Sequence, residues 1–226
     1  MKPEEIKASY EIVADAYAAQ FFDELSRKPF DRSLLDAFVR DCEGRGPVLD
    51  VGCGPGHIAR YLSDRGVNAA GVDFASAMVA LARKLNPGID FNAGDMRALE
   101  VADDSLAGIV AFYSVIHIPR PEVAGVLAGF RRALAQDGRL LMSVHGGIGS
   151  MHNEQFLGHA VPFEATLFSI GEIASLVESA GFWVDEARQR IPYEFEHPTP
   201  RIYVRAHVAD WSRGASAPRL DSMPPP

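Results

Sequence analysis

The sequence predicts an α/β fold in which a parallel sheet is covered on both faces by helices. Strand-like and helix-like apolar patterns alternate from residue 48 to residue 144, and a glycine-rich turn follows the first strand. The length, 226 residues, suits one such domain with a full core. Ligands of these sheets bind beyond the carboxyl ends of the strands, so the chemistry is sought there.

Ahead of the alternation, Tyr10, Val13, Tyr17, Phe21 and Leu25 recur at three- and four-residue spacing, the apolar stripe of one helix. Lys28-Pro29 ends that helix. Asp31 is placed to cap a second helix carrying Leu34, Leu35, Phe38 and Val39, which Gly44-Arg45-Gly46 closes. Residues 1–44 therefore read as a helical cap on a core spanning residues 45–209. The core opens with a strand over 48–51, then a helix over 58–64, a strand over 67–72, a helix over 76–85 and a strand over 89–91. A strand of buried type covers 108–115. A helix with Pro121 near its start carries Val123, Val126, Leu127, Phe130 and Leu134, and Asp137-Gly138 turns the chain into a strand over 139–144. The rhythm then breaks. Residues 145–168 are rich in Gly, His, Asn and Phe, show no clean period, and read as an insertion that shapes a substrate pocket. A helix over 170–180 ends at Gly181, and strands over 182–190 and 202–208 are expected to pair antiparallel. Residues 210–226, rich in Pro, Ser and Ala, read as a disordered tail.

Composition narrows the function classes. Apolar residues make up 47% and charged residues 23%, ordinary for a globular chain. No window reaches the roughly 18 uninterrupted apolar residues of a membrane span, and residues 1–7 lack the apolar run of a secretory signal. Two cysteines, Cys42 and Cys53, make no disulfide framework, so a cytoplasmic location is expected. With a formal charge of −8 and no Lys/Arg cluster, neither nucleic acid nor membrane is an expected partner. The oligomeric state is left between monomer and homodimer.

The strongest motif is Val48-Leu49-Asp50-Val51-Gly52-Cys53-Gly54-Pro55-Gly56-His57, an apolar strand ending in an acid and then glycines at every second position. Glycine lets backbone approach a ligand closely and adopt positive φ. A dinucleotide loop, GxGxxG, wants small residues at 52, 54 and 57, whereas His57 is large and the third glycine falls at 56. A nicotinamide oxidoreductase is disfavoured on that ground. Residues 49–56 instead resemble, without departure, the first motif of class I S-adenosylmethionine-dependent methyltransferases, an apolar strand followed by (D/E)xGxGxG. The resemblance implies a Rossmann-like seven-stranded sheet, mostly parallel with one antiparallel strand. It also implies S-adenosylmethionine as cofactor, bound by Asp50, Gly52, Gly54 and Gly56.

Further motifs extend the likeness over roughly residues 10–145. Gly71-Val72-Asp73 places an acid at the end of the next strand, where a carboxylate can accept both hydroxyls of a ribose. Met78 matches a family methionine near adenine, with a plain core role as the alternative. Gly94-Asp95-Met96 resembles the motif whose acid binds the exocyclic amine of adenine, a donor, while the next residue, Met96, offers its amide to the ring. Residues 107–118 resemble the fourth strand of small-molecule methyltransferases, which puts Tyr113 and Ser114 at the methionine end of the cofactor. Ala107 stands where the family commonly has Asp. Residues 134–141 are similar to an LxPGGxL turn, with Asp137 replacing a glycine. The nearest likeness is to bacterial small-molecule enzymes with an N-terminal helical cap.

In methyl transfer the cofactor carries the activated group, and the protein positions the partners and excludes water. An acceptor bearing a proton is helped by a base. His117, just after the fourth strand, is the candidate catalytic base, or else it only lines the acceptor pocket. Tyr17 resembles in position a tyrosine that family members use on the cofactor's carboxylate, with a core aromatic as the alternative. Phe21 and Phe22 close the cap over the ligand or simply pack. For the small-molecule acceptor the candidates are Phe21, Ser114, His117, His145, Asn153 and Glu164, with His152, His159 and Phe163 beside them. The three histidines of 145–159, seven apart and without cysteine, match no metal pattern, so no metal is expected. Alternatives are a nucleic-acid or protein methyltransferase, against which the charge and the lack of a DPPY-type motif count, and a non-catalytic S-adenosylmethionine-binding protein.

Overall fold

Strand-length apolar runs separated by amphipathic helices have one way to bury both sheet faces, which is to stack the helices on either side of a parallel sheet. The computed structural model, which describes residues 1–209, has that architecture. The expected disordered tail, 210–226, lies outside the described residues. In chain order the strands are β1 (Val48–Val51), β2 (Ala69–Asp73), β3 (Asp90–Ala93), β4 (Leu106–Phe112), β5 (Leu134–His145), β6 (Ser150–Asn153), β7 (Phe163–Thr166), β8 (Phe182–Arg190) and β9 (Arg201–Val208). The helices are α1 (Pro3–Phe21), α2 (Pro29–Cys42), α3 (His57–Ser63), α4 (Ser76–Leu85), α5 (Val123–Ala133) and α6 (Ile170–Ser179).

Seven strands form one sheet in the order β3-β2-β1-β4-β5-β9-β8. The five strands from β3 to β5 run parallel, and β9 is antiparallel to both of its neighbours. The order reverses between β1 and β4, so the connections leaving these two strands part in opposite directions and open a crevice at their carboxyl ends.

Side chains alternate across the sheet. Ile109 and Ala111 of β4, with Leu140 and Met142 of β5, face one layer built on Val126, Leu127 and Phe130 of α5 and Ile173 and Val177 of α6. Val110 and Leu141 face the other, where Leu35 and Phe38 of α2 and Ile58 and Leu62 of α3 pack. A separate small cluster joins the cap to the core: Ala14, Tyr10 and Tyr17 of α1 meet Met78 of α4 and Ala75 just ahead of it.

Several local expectations are corrected. The first helix stops at Phe21, and Leu25 sits in a short 3-10 turn over Glu24–Arg27. Pro29 begins α2 rather than merely ending the first helix, because a missing N–H costs nothing in the first turn. Lys28 holds the cap position given to Asp31. Asp31 instead lies inside the first turn, buried, pairing with Arg190 at 3.0 Å and accepting from Tyr203 at 3.1 Å. The turn at Asp137-Gly138 is absorbed as an irregularity within β5, with Asp137 at φ +56. Val115, expected in the fourth strand, lies in a 3-10 turn over Val115–His117. The segment 145–168 is not wholly irregular, since β6 and β7 pair in it as an antiparallel two-stranded ribbon.

Candidate active site

The loop after β1 is shaped by backbone. The amides of Gly52 and Cys53 both donate to the Val72 carbonyl of β2, at 2.8 and 3.0 Å. Gly52 adopts φ +72, and a Cβ there would lie 2.3 Å from Ser114 Cβ. Gly56 adopts φ +82 where a Cβ would lie 2.6 Å from the Phe91 ring. Both positions therefore admit only glycine.

Two carboxylates brace this loop. Asp73 accepts from the Gly54 amide through Oδ2 and the Ala75 amide through Oδ1, each at 2.9 Å. Burial pushes its pKa up to about 6, against the lowering effect of those amide bonds. No Lys or Arg pairs with it among the described residues, and each oxygen keeps acceptor capacity. Asp50 is buried more completely and accepts from the Ala59 amide in the first turn of α3 at 3.1 Å, with burial pushing its pKa up to about 7. A third acid, unforeseen in the sequence, is Glu11 of α1. It accepts from Ser76 and Ala77 amides at 2.7 and 2.8 Å, so the cap helix ties down the start of α4.

Two cavities meet beside this loop. The first lies at the carboxyl ends of β1, β2 and β4. Of the residues expected there, Tyr17, Gly52, Gly54, Asp73, Met78, Asp95, Met96 and Tyr113 line it. Asp50 and Gly56 do not. They act behind the loop, one as an anchor for α3 and the other as a packing glycine. The carboxylate of Asp95 is engaged by Arg97, whose Nε lies 3.0 Å from both oxygens. Arg97 also lines the cavity, a neighbour the sequence did not reveal.

The second cavity, about 300 Å³, lies under α1 and the β6–β7 ribbon. Phe21, His145, Asn153 and Phe163 line it as expected. Ser114 and His117 line the first cavity instead, and Ser114 donates to the Val51 carbonyl at 2.7 Å. Glu164 lines neither, because its carboxylate pairs with the amino group of Met1. His152 and His159 also lie outside both cavities, with His152 on Glu154 at 2.9 Å. Tyr10, Tyr17 and Tyr113 line both cavities and so mark their junction. Tyr113 holds φ +52 just past the end of β4, a conformation that costs a non-glycine residue energy and that clusters at functional sites. Its hydroxyl lies 2.9 Å from that of Tyr203.

His117 is fixed through both ring nitrogens. Nδ1 lies 2.8 Å from the Glu164 carbonyl, which can only accept, so the proton sits on Nδ1. Nε2, 2.7 Å from Tyr10 Oη, accepts the tyrosine's proton. Burial holds the His117 pKa down to about 4, so the ring is neutral near pH 7.

Comparison with known proteins agrees with this geometry. Residues 48–138, from β1 into β5, match the family described as methyltransferase domain. A demethylmenaquinone methyltransferase of Renibacterium salmoninarum is 29% identical, over 82% of this chain and 80% of that protein. A probable S-adenosylmethionine-dependent methyltransferase of Mycolicibacterium smegmatis is 30% identical over 64% of this chain and 54% of that protein. The chain is a class I S-adenosylmethionine-dependent methyltransferase. The sheet of this methyltransferase is shared with the S-adenosylmethionine-bound magnesium protoporphyrin IX methyltransferase of Synechocystis, with a TM-score of 0.61 at 18% identity, over 84% of each chain. An S-adenosylmethionine-dependent methyltransferase from Methanosarcina mazei gives 0.64 at 20% identity, over 71% of this chain and 91% of that one. Among the described residues, no helix of the methyltransferase is long and apolar enough to cross a membrane.

The residues of the first cavity fit the cofactor. A buried, cation-free carboxylate with spare acceptor sites suits a diol, and the loop backbone at Gly52 and Gly54 stands open at the cavity wall.

The pKa of Asp50 yields a prediction. A buried acid whose folded pKa lies above its unfolded value holds extra protons in the native state, so its contribution to stability falls as pH rises through that window. Asp50→Asn removes the term while keeping an acceptor for the Ala59 amide. Urea unfolding at about pH 5 and about pH 8 is expected to show the variant gaining stability relative to the parent as pH rises. An unchanged difference between the two pH values argues against the raised pKa.

Proposed function

We propose that the enzyme methylates a small acceptor with an aromatic or otherwise flat apolar body, seated in the second cavity, with its nucleophilic atom at the tyrosine junction. The observation that carries this reading is the sharing of Tyr10, Tyr17 and Tyr113 by the two cavities, because transfer needs donor and acceptor to meet in line. The rings of Tyr10, Tyr17, Phe21, Phe156 and Phe163 supply an apolar wall, with neighbouring centroids 4.6 to 6.4 Å apart. The relative named demethylmenaquinone methyltransferase and a 28% identical one named ubiquinone biosynthesis O-methyltransferase, from Pseudomonas aeruginosa, support an acceptor of this kind.

When bound, S-adenosylmethionine supplies a methyl group activated on a sulfonium. Asp73 would accept from its ribose hydroxyls, Gly52 and Gly54 would let the loop backbone approach, and Met78, Asp95 and Met96 would hold its adenine. Tyr17, whose ring packs on Gly54, closes the cap end.

His117 is the base, acting through Tyr10. An acceptor hydroxyl at the junction donates to Tyr10 Oη. As its oxygen is methylated the hydroxyl becomes strongly acidic and gives its proton to Tyr10 Oη, while the tyrosine's own proton passes to His117 Nε2. The Glu164 carbonyl holds the Nδ1 proton and stabilises the imidazolium. A base of pKa about 4 suffices because the proton leaves an oxygen already carrying positive charge.

Labelled methyl is expected to pass from S-adenosylmethionine to members of a panel of phenols and quinols. Transfer only to RNA or to protein overturns the reading. His117→Ala and Tyr10→Phe are each expected to lower kcat on a productive acceptor by about 100-fold or more, with S-adenosylhomocysteine affinity within about twofold. Unaltered turnover in either removes the relay. Asp73→Asn is expected to weaken S-adenosylhomocysteine by about tenfold or more in titration calorimetry. Because burial raises the Asp73 pKa to about 6 and the hydroxyls need the ionised form, parental affinity is expected to fall as pH drops below that value and the variant to lose this dependence.

A further inference from the structure

The second cavity has two unlike ends. Against its aromatic wall stands a polar end built where β9 begins beside the end of β5, with Arg201 and His145 directly paired across the two strands. The Arg201 side chain is 4% exposed. Its Nη1 donates to the carbonyl and hydroxyl of Thr199, at 2.5 and 2.7 Å, and its Nε lies 3.7 Å from Glu196. Its Nη2 has no hydrogen-bond partner among the described residues. Left without a protein acceptor beside the cavity, this donor is available to a ligand that enters it.

Two imidazoles flank this group. His145 bonds Thr199 through Nδ1 at 2.8 Å and has Nε2 without a partner, and His197 has no side-chain hydrogen bond among the described residues. Their rings lie 6.4 Å apart and both line the cavity. Burial, aided by the charge of Arg201, holds His145 down to about 3 and lowers His197, so both rings are neutral, and the Thr199 hydroxyl, which accepts from Arg201, can donate to His145 Nδ1 and leave Nε2 as a donor.

The acids nearby are already committed. Glu196 accepts from Arg190 at 2.7 and 3.0 Å and from the Tyr193 amide at 2.8 Å, and it pairs with Lys28 at 3.3 Å. Glu24 pairs with Lys28 at 2.8 Å and with His57 at 3.3 Å. The cavity wall thus carries Arg27, Lys28 and Arg201 against Glu24 and Glu196, a surplus of one positive charge in a chain whose formal charge is −8. Tyr113 of the junction borders the polar end, with Lys28 Nζ 5.4 Å and the Arg201 guanidinium 5.6 Å from its ring centre.

We propose that this polar end is an anion subsite, and that the acceptor is an aromatic molecule bearing a carboxylate or similar oxyanion, which Arg201 binds with help from His145 and His197. The proposal rests on the acceptor reading of the second cavity and sharpens it. The anion fixes one end of the acceptor and the rings hold its flat body, leaving the opposite substituent at the tyrosine junction.

The test uses 2-naphthoate and its neutral isostere 2-naphthamide, titrated by calorimetry into the full chain with and without S-adenosylhomocysteine. Naphthoate is expected to bind about tenfold or more tighter than the amide. Arg201→Gln is expected to erase that preference while leaving naphthamide and S-adenosylhomocysteine within about twofold. His197→Ala, on a loop and without bonds to lose, is expected to narrow the preference in the same direction and serves should Arg201→Gln not fold. Equal binding of acid and amide by the parent, binding of neither, or a preference unchanged in a folded variant each overturns the subsite. Failure of the parent to bind S-adenosylhomocysteine is a separate result and falls on the donor cavity alone.

Discussion

The carboxylate of Asp73 is the contact around which the rest of the site is arranged. Standing at the end of β2, it draws in the amide of Gly54 from the loop after β1 and that of Ala75 ahead of α4. The connections leaving β1 and β2 are thereby held at one buried point. Asp50 does the same one layer deeper for α3, and Glu11 reaches across from the cap to the start of α4. All three carboxylates accept backbone amides at or beside helix starts, where orphan donors and the helix dipole favour negative charge. The cap is thus an integral wall of the first cavity.

The cap also controls how the two cavities communicate. Tyr10 and Tyr17 lie seven residues apart on one face of α1, and Tyr113 rises from the end of β4 to meet them. Their rings stand where the two cavities meet. The position of Tyr10 in turn depends on His117, and that of His117 on the Glu164 carbonyl in β7. An insertion ribbon, a strand-end turn and the first helix therefore share one hydrogen-bonded chain. The salt bridge between Met1 and Glu164 and the bond from Ser9 to the Pro162 carbonyl fasten the same helix to the same ribbon.

The second cavity is drawn from parts of the chain far apart in sequence. Phe156 and Phe163 come from the insertion, Lys28 from the turn before α2, and His197 and Arg201 from the last connection and strand. Asp31, Arg190, Glu196 and Tyr203 form the buried network behind them. This network explains why an acid suited to capping a helix is buried instead: Arg190 and the Tyr203 hydroxyl offset its desolvation, and its pKa still rises.

By itself the sequence determined the sheet, its helices and the donor loop. Alternating apolar runs, the glycines at 52, 54 and 56 and acids at strand ends are local features, because the period of a strand or helix and the geometry of a tight turn are set by residues close together in the chain. It offered Asp50 and Gly56 as cofactor-binding residues, but which residues face a cavity and which brace the loop from behind depends on packing between layers. Only the tertiary structure decided that Glu164 pairs with the chain's first residue, that Nε2 of His117 is held by Tyr10, and that Arg201 lies buried beside His145. Such contacts join residues tens to more than a hundred positions apart. No local period or spacing encodes them, since they arise only when the cap, the insertion and the last strands close on one another.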